Sequence, residues 1–181
     1  MNLEWPHITQ LPWTYSQKAI IKDCTDSIRA CSLIISMITN TIDEHYVKQF
    51  IKWMKLVIDN IEQHYRIKHR YYFPKLNFPI CNELLEDFKP ILELLKKSKQ
   101  HIKNVSILKV KQENNKETLC QHITDLYTDI QQIILLIKKN FKKEKIKLLP
   151  KMIHEINYAD IRAIDIKIGV RSKWYVLPHL Y

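Results

Sequence analysis

Apolar residues return along this chain at alternating steps of three and four. One run reads Val47, Phe50, Met54, Val57 and Ile61, then His64, Lys68 and Tyr71. A second reads Leu119, Ile123, Leu126, Ile130, Ile133 and Ile137, then Asn140, Glu144 and Leu148. Steps of this size keep one face of a helix turned to a core, so each run predicts a long amphipathic helix. Towards its end each stripe carries polar residues inward. A buried polar side chain is costly unless it meets a partner. His64, Lys68, Asn140 and Glu144 are therefore the first candidates for a site.

The two runs also match as sequence. Ile61, His64, Lys68, Phe73, Pro74, Lys75 and Leu76 align without a gap on Ile137, Asn140, Glu144, Leu149, Pro150, Lys151 and Met152. In each copy the proline ends the pattern, because it lacks an N–H and its ring clashes with the turn before it. The repeat predicts an internal ion pair between Lys68 and Glu144, which stand at equivalent depths five residues before Phe73 and Leu149.

The same reading places the other elements. Residues 1–15 form an aromatic, proline-broken arm. Thr14 or Ser16 caps a first helix running to about Thr39, with Ile21, Ile28 and Ile35 inward. Asn40 and Thr41 break it, and Asp43 caps a second helix that runs to about Tyr72. Pro74 and Pro79 enclose a connector, and Asn82 to Glu86 add a turn. Asp87 or the turn at Pro90 starts a third helix, with Leu84, Phe88, Ile91, Leu95, Ser98 and Ile102 marking its inner face. Lys111 to Lys116 form a loop, and a fourth helix begins near Glu117 or Thr118. A fifth, Lys151 to Lys167, is closed by Gly169 as a left-handed cap. The tail Trp174 to Tyr181 packs back. The expected fold is all-α: an up-down-up-down four-helix bundle over residues 16–152, then a short fifth helix and packed tail over 153–181.

Composition narrows the class. A single Gly in 181 residues argues against sheets, which need turn glycines. No run of about 18 apolar residues exists to span a membrane. Trp5, Pro6, His7, Pro12 and Trp13 interrupt any secretory apolar stretch. The four cysteines form no C-x-x-C pair, and Cys24 and Cys31 fall at helical spacing as buried thiols. A reducing, cytoplasmic setting is expected. The net charge of +10 raises the possibility of a polyanion partner. Its candidate patch is Lys138, Lys139, Lys142, Lys143, Lys145 and Lys147, a run that is more often a solvated helix face. The aromatics are not interleaved with these lysines as stacking platforms would be.

A helix ending in two polar inward positions four apart, then Phe-Pro or Leu-Pro, given twice in a helical bundle, resembles the hemerythrin-like (HHE cation-binding) family. The likeness covers about residues 16–152. It extends to Thr25-Asp26-Ser27-Ile28-Arg29, similar to the family's first-helix H-D-x-I-R, and to Asp87-Phe88, similar to the D-H opening its third helix. The resemblance implies a di-iron centre held by histidines and carboxylates, with roles in oxygen binding, iron or redox sensing, or metal storage. Carried over residue by residue, His64 and Glu144 keep ligand types. Thr25, Phe88 and Asn140 replace histidines, and Lys68 replaces a bridging carboxylate. An ammonium among would-be ligands repels a divalent ion. No metal or cofactor is therefore expected at these positions, iron being the alternative.

His69 lies one position off the stripe and is expected in solvent. His45, His101 and His122 fall near the opposite end of the bundle, where they could form a metal cluster. No Gly-rich phosphate loop, nucleophile elbow or Cys/His pair suggests an enzyme. The sequence reads as a non-catalytic, intracellular interaction or scaffold protein for another protein, built on a bundle that has lost its di-iron site. One alternative is a metal-binding member with an altered centre formed by His64, Glu144 and neighbours such as His69. A second is a basic nucleic-acid-binding protein.

Overall fold

The structure, a computed structural model, describes residues 12–38, 43–108 and 113–171. No strand occurs among them, so the all-α expectation holds for the described chain. Most of the expected arm, the Asn40-Thr41 break and the tail from Trp174 lie outside these residues.

Helix α1 spans Pro12–Ile38. It begins at Pro12, whose missing N–H is no loss in a first turn. Thr14 and Ser16 thus lie inside the helix rather than capping it, and the expected arm is shorter. Its buried face is Ile20, Cys24, Ser27, Cys31, Ile34 and Ile38. Ile21, Ile28 and Ile35 sit on the flank, partly buried. This rotation follows from packing, since α1 lies against two helices at once and the line between them sets its inward face. Ser27 is tolerated there because its hydroxyl donates to the Asp23 carbonyl at 2.8 Å.

Helix α2 spans Glu44–Ile67, with Asp43 at its N-cap accepting the His45 N–H at 2.9 Å. A π-helical turn, Lys68–Tyr72, leads into the short α3, Phe73–Leu76. Asn77, in the left-handed region at φ 48°, closes α3 by donating its N–H to the Phe73 carbonyl. Helix α4 spans Pro79–Ile107 and runs straight through Pro90. The start expected at Asp87 or Pro90 is therefore moved to Pro79. Pro90 and Glu86 both lie on the exposed face, where water can serve the carbonyl that Pro90 leaves unpaired.

Helix α5 spans Glu113–Lys143 and is followed by a second π turn, Glu144–Leu148. Its start at Glu113 shortens the expected loop. Beyond it come α6, Leu149–Glu155, and α7, Tyr158–Arg171. The single fifth helix expected over 151–167 is thus two. Ile156 is extended, and Asn157 restarts the chain by accepting the Ala159 N–H on Oδ1 at 2.9 Å. Gly169 lies within α7 and does not cap it.

The two π turns are the same device. Phe73 donates its N–H to the Lys68 carbonyl, five residues back, and Leu149 does so to Glu144. The residue after each donor is the proline, which does not end the helix as expected but is carried into α3 and α6; its ring would collide with a carbonyl four residues back. Widening the turn by one residue relieves that clash and shifts the helical phase. After Lys68 the buried residues are therefore Tyr72 and Phe73, while Tyr71, expected inward, is only partly buried.

Helices α1 and α4 each pack on both α2 and α5. Their apolar faces form one cluster reaching Ile61, Tyr65, Ile137 and Phe141. A second cluster joins the π turns, α3, the start of α4, α6 and α7 through Tyr72, Leu84, Leu148, Met152, Ile161 and Ile164. Tyr72 Oη donates to Asp165 Oδ1, tying α7 to the first π turn.

Candidate functional site

Between the two apolar clusters lies a polar layer. Lys68 and Glu144 each open a π turn, so the repeat that fixes their depth also directs them inward. Gln17 of α1 and Asn140 of α5 complete the buried set.

The Lys68 ammonium contacts both carboxylate oxygens of Glu144, Oε1 at 2.6 Å and Oε2 at 2.8 Å, across 76 residues of chain. Their side chains are 2% and 0% exposed, so the pair is cut off from water. Gln17 Nε2 donates to Glu144 Oε2 at 2.6 Å. The ammonium also stands over the rings of Phe141, at 4.8 Å, and Tyr65, at 5.3 Å, as cation–π attraction favours. Burial pushes the Lys68 pKa down to about 8, opposed by the Glu144 carboxylate.

One turn earlier, Tyr65 Oη donates to Asn140 Oδ1 at 3.3 Å, and Asn140 Nδ2 donates to the Leu84 carbonyl at 3.4 Å. Burial, then the Glu144 charge, hold the Tyr65 phenol well above its usual pKa and keep it a donor. His64 Nδ1 lies 3.2 Å from Ser16 Oγ. His64 Nε2 is buried without a hydrogen-bond partner, with the rings of Tyr65 and Phe141 edge-on at 5.5 Å. Burial first, and the Lys68 charge second, push the His64 pKa well below 6.5, so the imidazole is neutral.

The structure brings together His64, Lys68, Asn140 and Glu144, and leaves two other carried-over positions aside. Thr25 hydrogen-bonds the Ile21 carbonyl of its own helix at 2.8 Å. It lies two turns, roughly 12 Å, along α1 from Gln17, the residue that does reach Glu144. Phe88 is partly buried and stacks on Tyr65 at 4.1 Å between centroids. His69 is exposed. Gln17, Ser16 and Tyr65 were missed by the sequence reading. Starting α1 at Pro12 would have put Gln17 in phase with Cys24 and Cys31 and exposed the signal.

These donors do not suit a di-iron centre. The Glu144 carboxylate already holds an ammonium on both oxygens, and that positive charge repels a second cation. Gln17 and Asn140 spend their amides on the Glu144 carboxylate and the Leu84 carbonyl. The layer can hold two charges in fixed register between helices.

The lysine run of α5 divides. Lys138, Lys139, Lys142, Lys145 and Lys147 are exposed, while Lys143 is partly buried. Lys143 pairs with Asp87 at 2.5 Å and Glu83 at 3.7 Å, and Lys147 with Glu83 at 3.7 Å. Asp87, singled out beside Phe88, therefore serves as a partner for Lys143. His101 and His122 meet. His45 does not join them; its ring lies against Tyr46.

No family model, curated protein or solved structure gives a significant match to the chain. No helix among the described residues is long and apolar enough to cross a membrane.

Proposed function

We propose that the chain is a hemerythrin-like, up-down-up-down four-helix bundle whose metal position is filled by the Lys68–Glu144 ion pair. On this reading it is a non-enzymatic interaction or scaffold protein of a reducing, cytoplasmic setting. The carrying observation is the pair itself, buried where the repeat ends and contacting through both carboxylate oxygens. Support for the bundle comes from the four long helices, each with two neighbours among the other three. The twice-used π turn before Phe-Pro and Leu-Pro supports common descent of the two halves. The reducing setting is supported by four free cysteines, three of them buried, with Cys24 and Cys31 pushed up to about 12 by burial.

The test is the iron content of protein made in iron-rich medium. Substoichiometric iron and a featureless visible spectrum are expected. About two irons per chain with an oxo-bridged absorption spectrum would overturn the reading.

A further inference from the structure

At the far end of α4 and α5 from the ion pair, His101, His122 and Asp125 converge, their ligand atoms all within 4.8 Å of one another. His122 and Asp125 are one turn apart on α5, and His101 faces them from α4. The two Nδ1 atoms stand 3.4 Å apart. Two zinc–nitrogen bonds of about 2.0–2.1 Å at the tetrahedral angle set the same edge, roughly 3.3–3.4 Å. Asp125 Oδ2 lies 3.9 Å from His101 Nδ1, a gap that rotation of the carboxylate can close.

The setting of the second ring nitrogen of His101 suits ligation through the first. If Nδ1 of His101 binds an ion, the proton must sit on Nε2. That atom faces Asp129 Oδ2 at 3.8 Å, an oxygen buried beside the Ser98 hydroxyl. A carboxylate behind a ligating histidine fixes its ring and raises its basicity. His101 is 22% exposed and Asp125 39% exposed, so an ion and a water can enter.

We propose that His101 Nδ1, His122 Nδ1 and Asp125 bind one divalent ion of the zinc class, with water in the fourth position and Asp129 orienting His101. The ion would join α4 to α5 near the connection that links them.

The probe is Zn2+ added to metal-free protein, followed by calorimetry and thermal unfolding, with Co2+ as a spectroscopic substitute. One Zn2+ per chain is expected, with a Kd below about 10 µM. A Tm that rises with Zn2+ excess is also expected, because an ion bound only by the folded chain stabilises it by mass action. Asp125→Asn and His122→Gln should abolish the tetrahedral Co2+ absorption. Asp129→Asn should weaken Zn2+ binding by about 10–100-fold. His45→Gln and Cys120→Ser should change nothing. Each variant's metal-free denaturation midpoint separates lost ligation from lost folding. Absence of saturable one-to-one binding would overturn the proposal, as would unchanged affinity in the His101→Gln, His122→Gln double variant. Neither result bears on the iron measurement, which concerns the other end of the helices.

Discussion

Removing one member of a buried ion pair leaves the other charge without water or counter-charge, and that asymmetry governs Lys68 and Glu144. Lys68→Met is expected to destabilise by roughly 3–5 kcal/mol, because Glu144 then stays buried against an apolar side chain. Adding Glu144→Leu should recover much of the loss, since two desolvated charges roughly offset their own attraction. A double-mutant cycle read by chemical denaturation checks this. A Lys68→Met effect under about 0.5 kcal/mol, the size of a surface change, would contradict it. His64 adds a pH signature. Its folded pKa lies well below the 6.5 of the free group, so below pH 6.5 the unfolded chain binds a proton that the folded one refuses. Stability from this residue is therefore full above 6.5 and falls as the pH drops through and below it. His64→Gln should flatten that slope when denaturation midpoints are compared between pH 7 and 5. A wild-type slope unchanged in the variant would show that other groups carry it.

Helix ends supply the next scale. Asp43 satisfies an orphan N–H of α2, and Asp43→Ala is expected to lower stability by about 0.5–2 kcal/mol. The lysine-rich end of α5 should respond unevenly. Lys138, Lys142 and Lys145 changed together to Gln should each contribute within about 0.5 kcal/mol. Lys143→Gln, which breaks the link to Asp87 and Glu83, should cost up to about 1 kcal/mol. Binding of the triple variant to nonspecific DNA or RNA at low salt reads the rival function. If wild-type binds and the intact variant does not, the lysine face is an interface. The α5 stripe was legible position by position, because its seven positions from Leu119 to Asn140 are buried, as are Glu144 and Leu148 of the π turn, and nothing interrupts their period before that turn. Lys68 and Glu144 were legible because a gapless repeat fixed their depth. Element boundaries near prolines were not. Pro12 and Pro79 start helices and Pro90 is carried within one, and only tertiary packing distinguishes those outcomes. Gln17 and Asp129 escaped for a related reason: the partners that give them meaning lie on other helices.

Across the molecule, one polar layer separates two apolar clusters, and its charged members come from matching places in a repeat. Exchange of the charges is therefore expected to be tolerated where either reversal alone is not. Lys68→Glu with Glu144→Lys should fold with helicity like the wild type, while each single reversal buries like charges together and should unfold or aggregate. Circular dichroism and size-exclusion chromatography check it, and an unfolded double variant would show that Gln17 and the rings around Lys68 fix the polarity of the pair. The layer also bears on how the chain finds its form. Apolar stripes made of Ile and Leu can slide past one another by a turn and still bury much the same surface. A slide of α2 against α5 would set an ammonium and a carboxylate separately into hydrocarbon, at a penalty of several kcal/mol per ion. The contact thus penalises compact states with mismatched helices relative to the one arrangement that joins Lys68 to Glu144.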